Sequence, residues 1–384
     1  MKIALLGFGT VGGGVLDLLS ARSDLSLRYI LSRRDPGLSS VTFTRDISAI
    51  LQDSEVDIVV EAMGGLEPAY DYVLRALRAG KHIVTANKHL VAVHYDALLR
   101  EAKEHSVGFR CTAAVGGGIP WLVNLERVKR FDTLLSVGGI LNGTTNFILD
   151  AMHRRDCDFS EILAQAQALG YAEADPSADI DGLDIQRKLA ISASVAFDAV
   201  IPPETIPTFG IRNVRRCDIA AARAMNASCR LLASARRTGN ALCAYVEPTF
   251  VPDSQLAASV PTNHNLISLV GARLGAQSFF GQGAGRYPTA MNVVQDCLDI
   301  AGGVRRFYAE AVNRLPLCGD RIARRYYLRT SCPSVLSPEE YDRPFLDGVL
   351  TRPIPVSRMH QAASAARTQD PDLFFAGIPD EEEA

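Results

Sequence analysis

Residues 2–19 read KIALLGFGTVGGGVLDLL. An apolar run ends at Gly7, and glycines at positions 7, 9 and 12 fall at G-x-G-x-x-G spacing immediately before an amphipathic stretch. Strand, glycine turn and helix in that order bring unhindered backbone up to a pyrophosphate, with helix N–H groups and the positive end of the helix dipole facing it. A tight packing turn would need the glycines but not this context. The turn formed by Gly7, Phe8, Gly9, Thr10, Val11 and Gly12 is therefore predicted to bind a dinucleotide. The second apolar run ends in LSRRDP, where Arg33 and Arg34 suit a 2′-phosphate and favour NADP, while Asp35 leaves NAD as the alternative.

The first 130 residues continue the alternation. VDIVVEA, HIVTAN and VGFRCTAAV are short apolar runs separated by helical patterns such as EPAYDYVLRALRAG, where Gly80 is a natural stop. This pattern predicts an α/β domain of Rossmann type with a parallel sheet. From about residue 131 the pattern changes: TLLSVGGILNGTTNFIL reads as strand, turn and helix, SEILAQAQALGY and DIQRKLAISASVAF as helices, NALCAYVEPTFV and LISLVGARLG as antiparallel strands. A second, α+β domain over 131–285 follows, and the proline- and arginine-rich stretch 311–384 is a C-terminal extension whose DEEEA end is expected to fray. A chain of 384 residues accommodates two or three domains at roughly 150 residues each.

Net charge of -3 and a pI near 6.2 give no electrostatic reason to expect nucleic acid or an anionic membrane as partner. No apolar stretch approaches the ~20 residues of a membrane span, and Met1 runs straight into a strand; a soluble, cytoplasmic protein is expected. The eight cysteines are scattered singly, without metal-ligand spacing, as reduced core residues are.

Residues 173–191, EADPSADIDGLDIQRKLAI, crowd Glu173, Asp175, Asp179, Asp181 and Asp184 ahead of an apolar run that carries a single lysine, Lys188. Positions 184 and 188 lie one helical turn apart. At a surface such a pair contributes a few tenths of a kcal/mol. Here Leu183, Ile185, Leu189 and Ile191 flank it, which implies a buried helix, and a buried ion pair without a task is costly.

With GFGTVGGGV, VVEAMGGLEPA, GKHIVTANK, AVGGGIP, GILNGTTNFIL, EADPSADIDGLDIQRKLAI and GAGRYPTAMNVVQD in this order, the chain resembles homoserine dehydrogenase from residue 1 to about 310. The resemblance implies reduction of aspartate 4-semialdehyde to homoserine with NAD(P)H, on the route to threonine and methionine. It also implies a second domain that is catalytic and makes a homodimer, and a helix at about 286–310 that returns to the nucleotide domain. Carried over by residue, it makes Lys188 the proton donor, Asp184 its companion and Lys88 a second lysine that orients substrate. Glu173 would hold the substrate's α-ammonium group near Gly170, and Asn142, Gly143 and Thr144 would receive its carboxylate; locally, Thr144 or Thr145 suits a helix cap equally well. Gly64, Asn87, Lys88 and Gly285 would join the cofactor site. Asp179 and Asp181 are left as loop or capping residues. The family's monovalent cation would sit on the carbonyls of Val115, Gly117 and Ile119, but Thr112 stands where a glutamate is usual, so cation binding is expected to fall sharply. The tail, faintly like the first strand of a regulatory domain at RYYLRTSCPSVL, is expected to be a degenerate remnant without a working effector site.

Two other readings compete. An aspartate-semialdehyde-type dehydrogenase would need an activated cysteine paired with histidine, and none of the eight sits in such a motif. A catalytically silent NADP-binding sensor or scaffold would gain from a damaged glycine turn or a missing Lys188, and both are intact.

Overall fold

The computed structural model describes residues 1–304 and 315–379. Contacts divide the chain into two compact units, one of Met1–Asp132, Ala190–Pro202 and Gly281–Arg314, the other of Thr133–Leu189, Pro203–Phe280 and Leu315–Ala384. The first therefore takes in a stretch, 190–202, that the sequence pattern assigns to the second domain.

The first unit is built on six parallel strands: β1 (Lys2–Leu6), β2 (Ser26–Leu31), β3 (Thr42–Thr44), β4 (Ile58–Glu61), β5 (His82–Thr85) and β6 (Phe109–Arg110). Their spatial order β3-β2-β1-β4-β5-β6 reverses between β1 and β4, and ligands of such sheets bind at the strand ends beside that switch point. Residues 3–6 of β1 and all of β4 and β5 are buried, as both-side-covered parallel strands must be. The helix Arg286–Ala301 packs against the helix Thr10–Ser20 and shares its core through Ala290, Val293, Val294, Cys297 and Ile300. Of the helix expected over 286–310, residues 305–310 lie outside the described residues, as does the DEEEA end.

The second unit holds β7 (Leu134–Ile140), β8 (Ala227–Thr238), β9 (Ala241–Pro252), β10 (His264–Gly271), β11 (Gly275–Gln282), β12 (Ala323–Arg329), β13 (Tyr341–Phe345), β14 (Gly348–Thr351), β15 (Ile354–Pro355) and β16 (Phe374–Ile378). The sheet runs β11-β10-β7-β8-β9-β16-β12-β14-β13, and β15 pairs with β12. The pairs β10-β7, β7-β8, β8-β9, β16-β12, β12-β14 and β14-β13 are antiparallel, and β16 meets β9 in parallel. The tail is thus not a loose extension. Its strands β12, β13, β14 and β16 lie in the spatial order fourth-first-third-second of a split β-α-β unit, with the helix Val356–Ala366 before β16 and 3₁₀ turns after β12. The proline-rich segments make those turns and β13, while Tyr326, Leu328, Met359 and Phe375 form a core of their own.

Charge ties the tail to the rest of its unit, to the helix Arg216–Ala224 and to β9. Arg329 donates to both oxygens of the fully buried Asp218, at 2.8 and 3.0 Å, and Arg324 donates to the equally buried Glu247 at 2.8 Å. Removing one member of such a pair leaves the other buried and uncompensated. Arg329→Ala should lower the free energy of urea unfolding by about 3–5 kcal/mol. Arg325→Ala, which breaks a half-exposed pair with Asp342, should change it by less than about 1 kcal/mol. Equal losses would show that burial does not set the cost.

Candidate active site

The glycine turn sits at the end of β1. Gly7 has φ +93° and a Cβ there would come within 2.7 Å of the Ala62 carbonyl oxygen; at Gly12 it would come within 2.3 Å of Gly7 O. Those two glycines are needed for close packing. Gly9 differs: it caps the helix Thr10–Ser20 and nothing lies within 4 Å of its absent Cβ. Open space over the first turn of a helix is what a phosphate group would fill, so the residues present fit a dinucleotide. Phe8 and Val11 pack against the core while Thr10 is exposed. Arg33, Arg34 and Asp35 are exposed after β2, and Asp35 accepts the Gly37 N–H at 2.8 Å, closing a turn. Among the described residues neither arginine has an ion pair.

Glu61, at the end of β4, is a residue that sequence reasoning passed over. Fully buried, it accepts from Thr85 Oγ1 at 2.5 Å, Met63 N at 2.8 Å, Gly64 N at 3.3 Å and Asn87 Nδ2 at 3.4 Å. Burial raises its pKa, and these donors work the other way. The carboxylate thereby joins the Gly64–Gly65 turn, where both glycines have positive φ, to Asn87. Asn87 donates to Gly65 O at 2.7 Å and caps the helix Lys88–Glu104 through Leu90 N. Lys88 is the first residue of that helix and half-buried. A cation there faces the positive end of the dipole, so helix stability does not account for it. The signal for Glu61 was a carboxylate closing the apolar run IVVE.

The other cluster belongs to the second unit. Asp184 and Lys188 are 3% and 7% exposed, and their charges meet at 2.8 Å. Lys188 Nζ also donates to Leu141 O at 2.7 Å. Ile185, Leu189 and Ile191 are buried around the pair, whereas Leu183 is half-exposed. Asn142 organises the rest. Its Oδ1 accepts Thr145 N at 2.9 Å, which caps the helix Gly143–Arg155, and its Nδ2 donates to Asp184 Oδ2 at 2.8 Å and Asp179 Oδ1 at 2.7 Å. The cap is therefore Asn142 itself and not a threonine: Thr144 donates to Tyr171 O at 2.5 Å, and Thr145 to Asn142 O at 3.3 Å. Gly143 and Thr144 occupy the first two helical positions, whose N–H groups have no acceptor within a helix. Asp179, read from sequence as a loop or capping residue, belongs to this cluster, while Asp181 pairs with Arg212 at 2.7 Å. Gly170 has φ +75° next to Tyr171. Glu173 is exposed; its backbone oxygen accepts from Gln167, and no hydrogen bond joins its carboxylate to Lys188 or Asn142.

At the expected cation turn, Thr112 is buried and directs both N and Oγ1 to Asp296, at 2.8 and 2.7 Å. The Gly117 and Ile119 carbonyls accept the Asn292 amide, at 2.5 and 3.2 Å. This donor set does not fit a monovalent cation. Cysteine chemistry is also disfavoured: burial pushes the thiols of Cys157, Cys217, Cys229 and Cys297 up, away from the nucleophilic thiolate.

The chain and its fold are similar to those of known proteins. The family described as "Homoserine dehydrogenase" matches residues 120–298, and that described as "Homoserine dehydrogenase, NAD binding domain" matches residues 7–111. A homoserine dehydrogenase of Synechocystis sp. is 42% identical over 318 residues, 79% of this chain and 73% of that protein. One of Bacillus subtilis is 36% identical over 319 residues, 79% and 74% of the two chains. The crystal structure of a homoserine dehydrogenase from Thiobacillus denitrificans superposes with a TM-score of 0.89 at 30% identity, covering 99% of this chain and 98% of that one. A hyperthermophilic archaeal homoserine dehydrogenase mutant in complex with NADPH gives 0.68 at 25% identity, covering 79% and 98%.

The two kinds of glycine should separate in experiment. Gly9→Ala should keep the melting temperature and weaken the nicotinamide cofactor by roughly tenfold or more, about 1.4 kcal/mol. Gly12→Ala should lower the melting temperature. A Gly12→Ala variant that melts at the unmodified temperature would mean that the close approach to Gly7 O is not needed.

Proposed function

The chain belongs to the homoserine dehydrogenase family, and from that premise we propose how its residues carry the interconversion of L-homoserine and L-aspartate 4-semialdehyde. The observation that carries the proposal is the buried Asp184–Lys188 pair, held at 2.8 Å and tied to Asn142 and Leu141 O. A nicotinamide cofactor, when bound, supplies or accepts the hydride at the carbon that bears the reacting oxygen. The chain itself has to bind the substrate's charged ends, keep the reacting oxygen next to a proton source, and hold the cofactor.

Lys188 is the proton source. In reduction its ammonium gives a proton to the aldehyde oxygen as negative charge develops there; in oxidation the neutral amine takes the hydroxyl proton back. Asp184 and the Leu141 carbonyl fix the nitrogen from two sides, so that it is oriented instead of sweeping through solvent. Asn142 keeps Asp184 in place. Glu173 receives the α-ammonium group, with Gly170 and Asp179 in the same segment, and the helix start at Gly143 and Thr144 receives the α-carboxylate. Lys88 orients substrate. Gly7, Phe8, Gly9, Thr10, Val11 and Gly12 hold the pyrophosphate, and Gly64, Asn87, Lys88 and Gly285 complete the cofactor site. Among the described residues the unpaired state of Arg33 and Arg34 supports NADP, whose 2′-phosphate a guanidinium recognises.

A homodimer made through the second unit suits the apolar surface left by its sheet, where Leu135, Leu274 and Phe280 are 40%, 48% and 55% exposed. No helix of the described residues is long and apolar enough to cross a membrane, and cytoplasmic placement is proposed from the pathway the family serves.

Purified protein should oxidise L-homoserine with NADP faster than with NAD at equal concentration. Lys188→Ala should lose at least ~10²-fold in kcat with little change in cofactor affinity, and Glu173→Ala should act mainly on KM for homoserine. Near-normal turnover by the Lys188 variant would remove that residue from the chemistry. Neutral replacement of both Arg33 and Arg34 should weaken NADP and spare NAD; equal losses would place the arginines elsewhere.

A further inference from the structure

The turn at residues 112–119 is pressed onto backbone of its own unit. Gly116 and Gly117 have φ +83° and +55°. A Cβ on Gly117 would meet Gly283 at 2.5 Å, and Gly118 N donates to Gln282 O at 3.2 Å. Beyond that loop the helix Arg286–Ala301 turns two buried polar side chains, four residues apart and so on one face, toward the turn: Asn292 and Asp296. Asn292 Nδ2 lies 2.5 Å from Gly117 O and 3.2 Å from Ile119 O. Carbonyl oxygens only accept, so the atom between them must be the amide nitrogen, and the orientation of the side chain follows from its partners. Asp296 takes the amide and hydroxyl of Thr112 and accepts from Arg110, whose Nε lies 2.9 Å away and whose other arm pairs with Asp299.

A monovalent cation on this turn would need the Gly117 and Ile119 oxygens as ligands and a negative charge beside them. The first requirement is already taken up by the protein's own group. The Asn292 amide engages the two carbonyls with partial positive charge, and the nearby Asp296 carboxylate is occupied by the N–H and hydroxyl of Thr112 and by a guanidinium that it shares with Asp299. We propose that the Asn292 side chain stands in for the cation, so that this turn is held in its working shape by a built-in donor and needs no sodium or potassium.

The test is the melting temperature of the full chain in sodium chloride, potassium chloride and choline chloride at one ionic strength, a readout that stands whether or not the homoserine reaction is the right one. The unmodified protein should melt at the same temperature in all three salts. Asn292→Asp keeps the size but faces two carbonyls with a carboxylate; it should melt lower in choline and recover several degrees in sodium or potassium. If that variant fails to fold, Asn292→Ala, which leaves the carbonyls without the amide, should show the same ion-specific recovery. A specific stabilisation of the unmodified protein by either ion would overturn the proposal. So would a folded Asn292 variant that responds alike to all three salts.

Discussion

The candidate site depends on one buried ion pair. Asp184 and Lys188 are nearly out of water, and desolvating a charge costs several kcal/mol. Their mutual contact offsets part of it, and hydrogen bonds from Asn142 and to Leu141 O offset more. Those two residues follow β7 directly, so the end of one strand fixes both the helix Gly143–Arg155, through its cap, and the orientation of the lysine. A side chain shared between a helix cap and two carboxylates cannot rotate without losing both tasks. That constraint holds the ammonium in one place and separates this pair from a surface bridge of the same spacing.

Much of this was legible in the sequence for local reasons. The glycine spacing after an apolar strand, the alternation of short apolar runs with amphipathic helices, and the four-residue separation of Asp184 and Lys188 are all periodic signals. They correspond to the parallel order of β1–β6 and to the buried face of the helix Leu183–Phe197. Leu183 misled in detail, since it starts its helix half-exposed. The other contacts leave no such trace. Asn142 reaches Asp184 across 42 positions and Asn292 reaches Gly117 across 175, and nothing in the local pattern of either asparagine reports the distant partner. Glu61 was visible only as a charge in the wrong place, and its donors come from two other segments.

The tail shows how composition can mislead. Proline and arginine marked a C-terminal extension and a degenerate remnant, yet Pro333 and Pro338 fall in 3₁₀ turns and Pro344 in β13, where a missing N–H is tolerated, and Arg324 and Arg329 are spent on buried carboxylates of β9 and of the helix Arg216–Ala224. Charged residues that read as solubilising in a linear sequence can be the residues that join two layers. The same lesson holds at the turn 112–119, where a threonine in place of a carboxylate looked like a loss and is matched by Asp296 and Asn292 from a distant helix.

Coupling between Asn142 and Lys188 tests most directly whether the ion pair is held for catalysis. Turnover of L-homoserine should be measured for Asn142→Ala, Lys188→Ala and the double variant, with the thermal stability of each followed separately, because loss of a helix cap costs about 1 kcal/mol on its own. If Asn142 acts by orienting Asp184 and through it Lys188, its replacement lowers kcat in the unmodified protein and has no further effect once Lys188 is gone. Losses that multiply in the double variant would mean that Asn142 and Lys188 work independently, and the buried pair would then be structural.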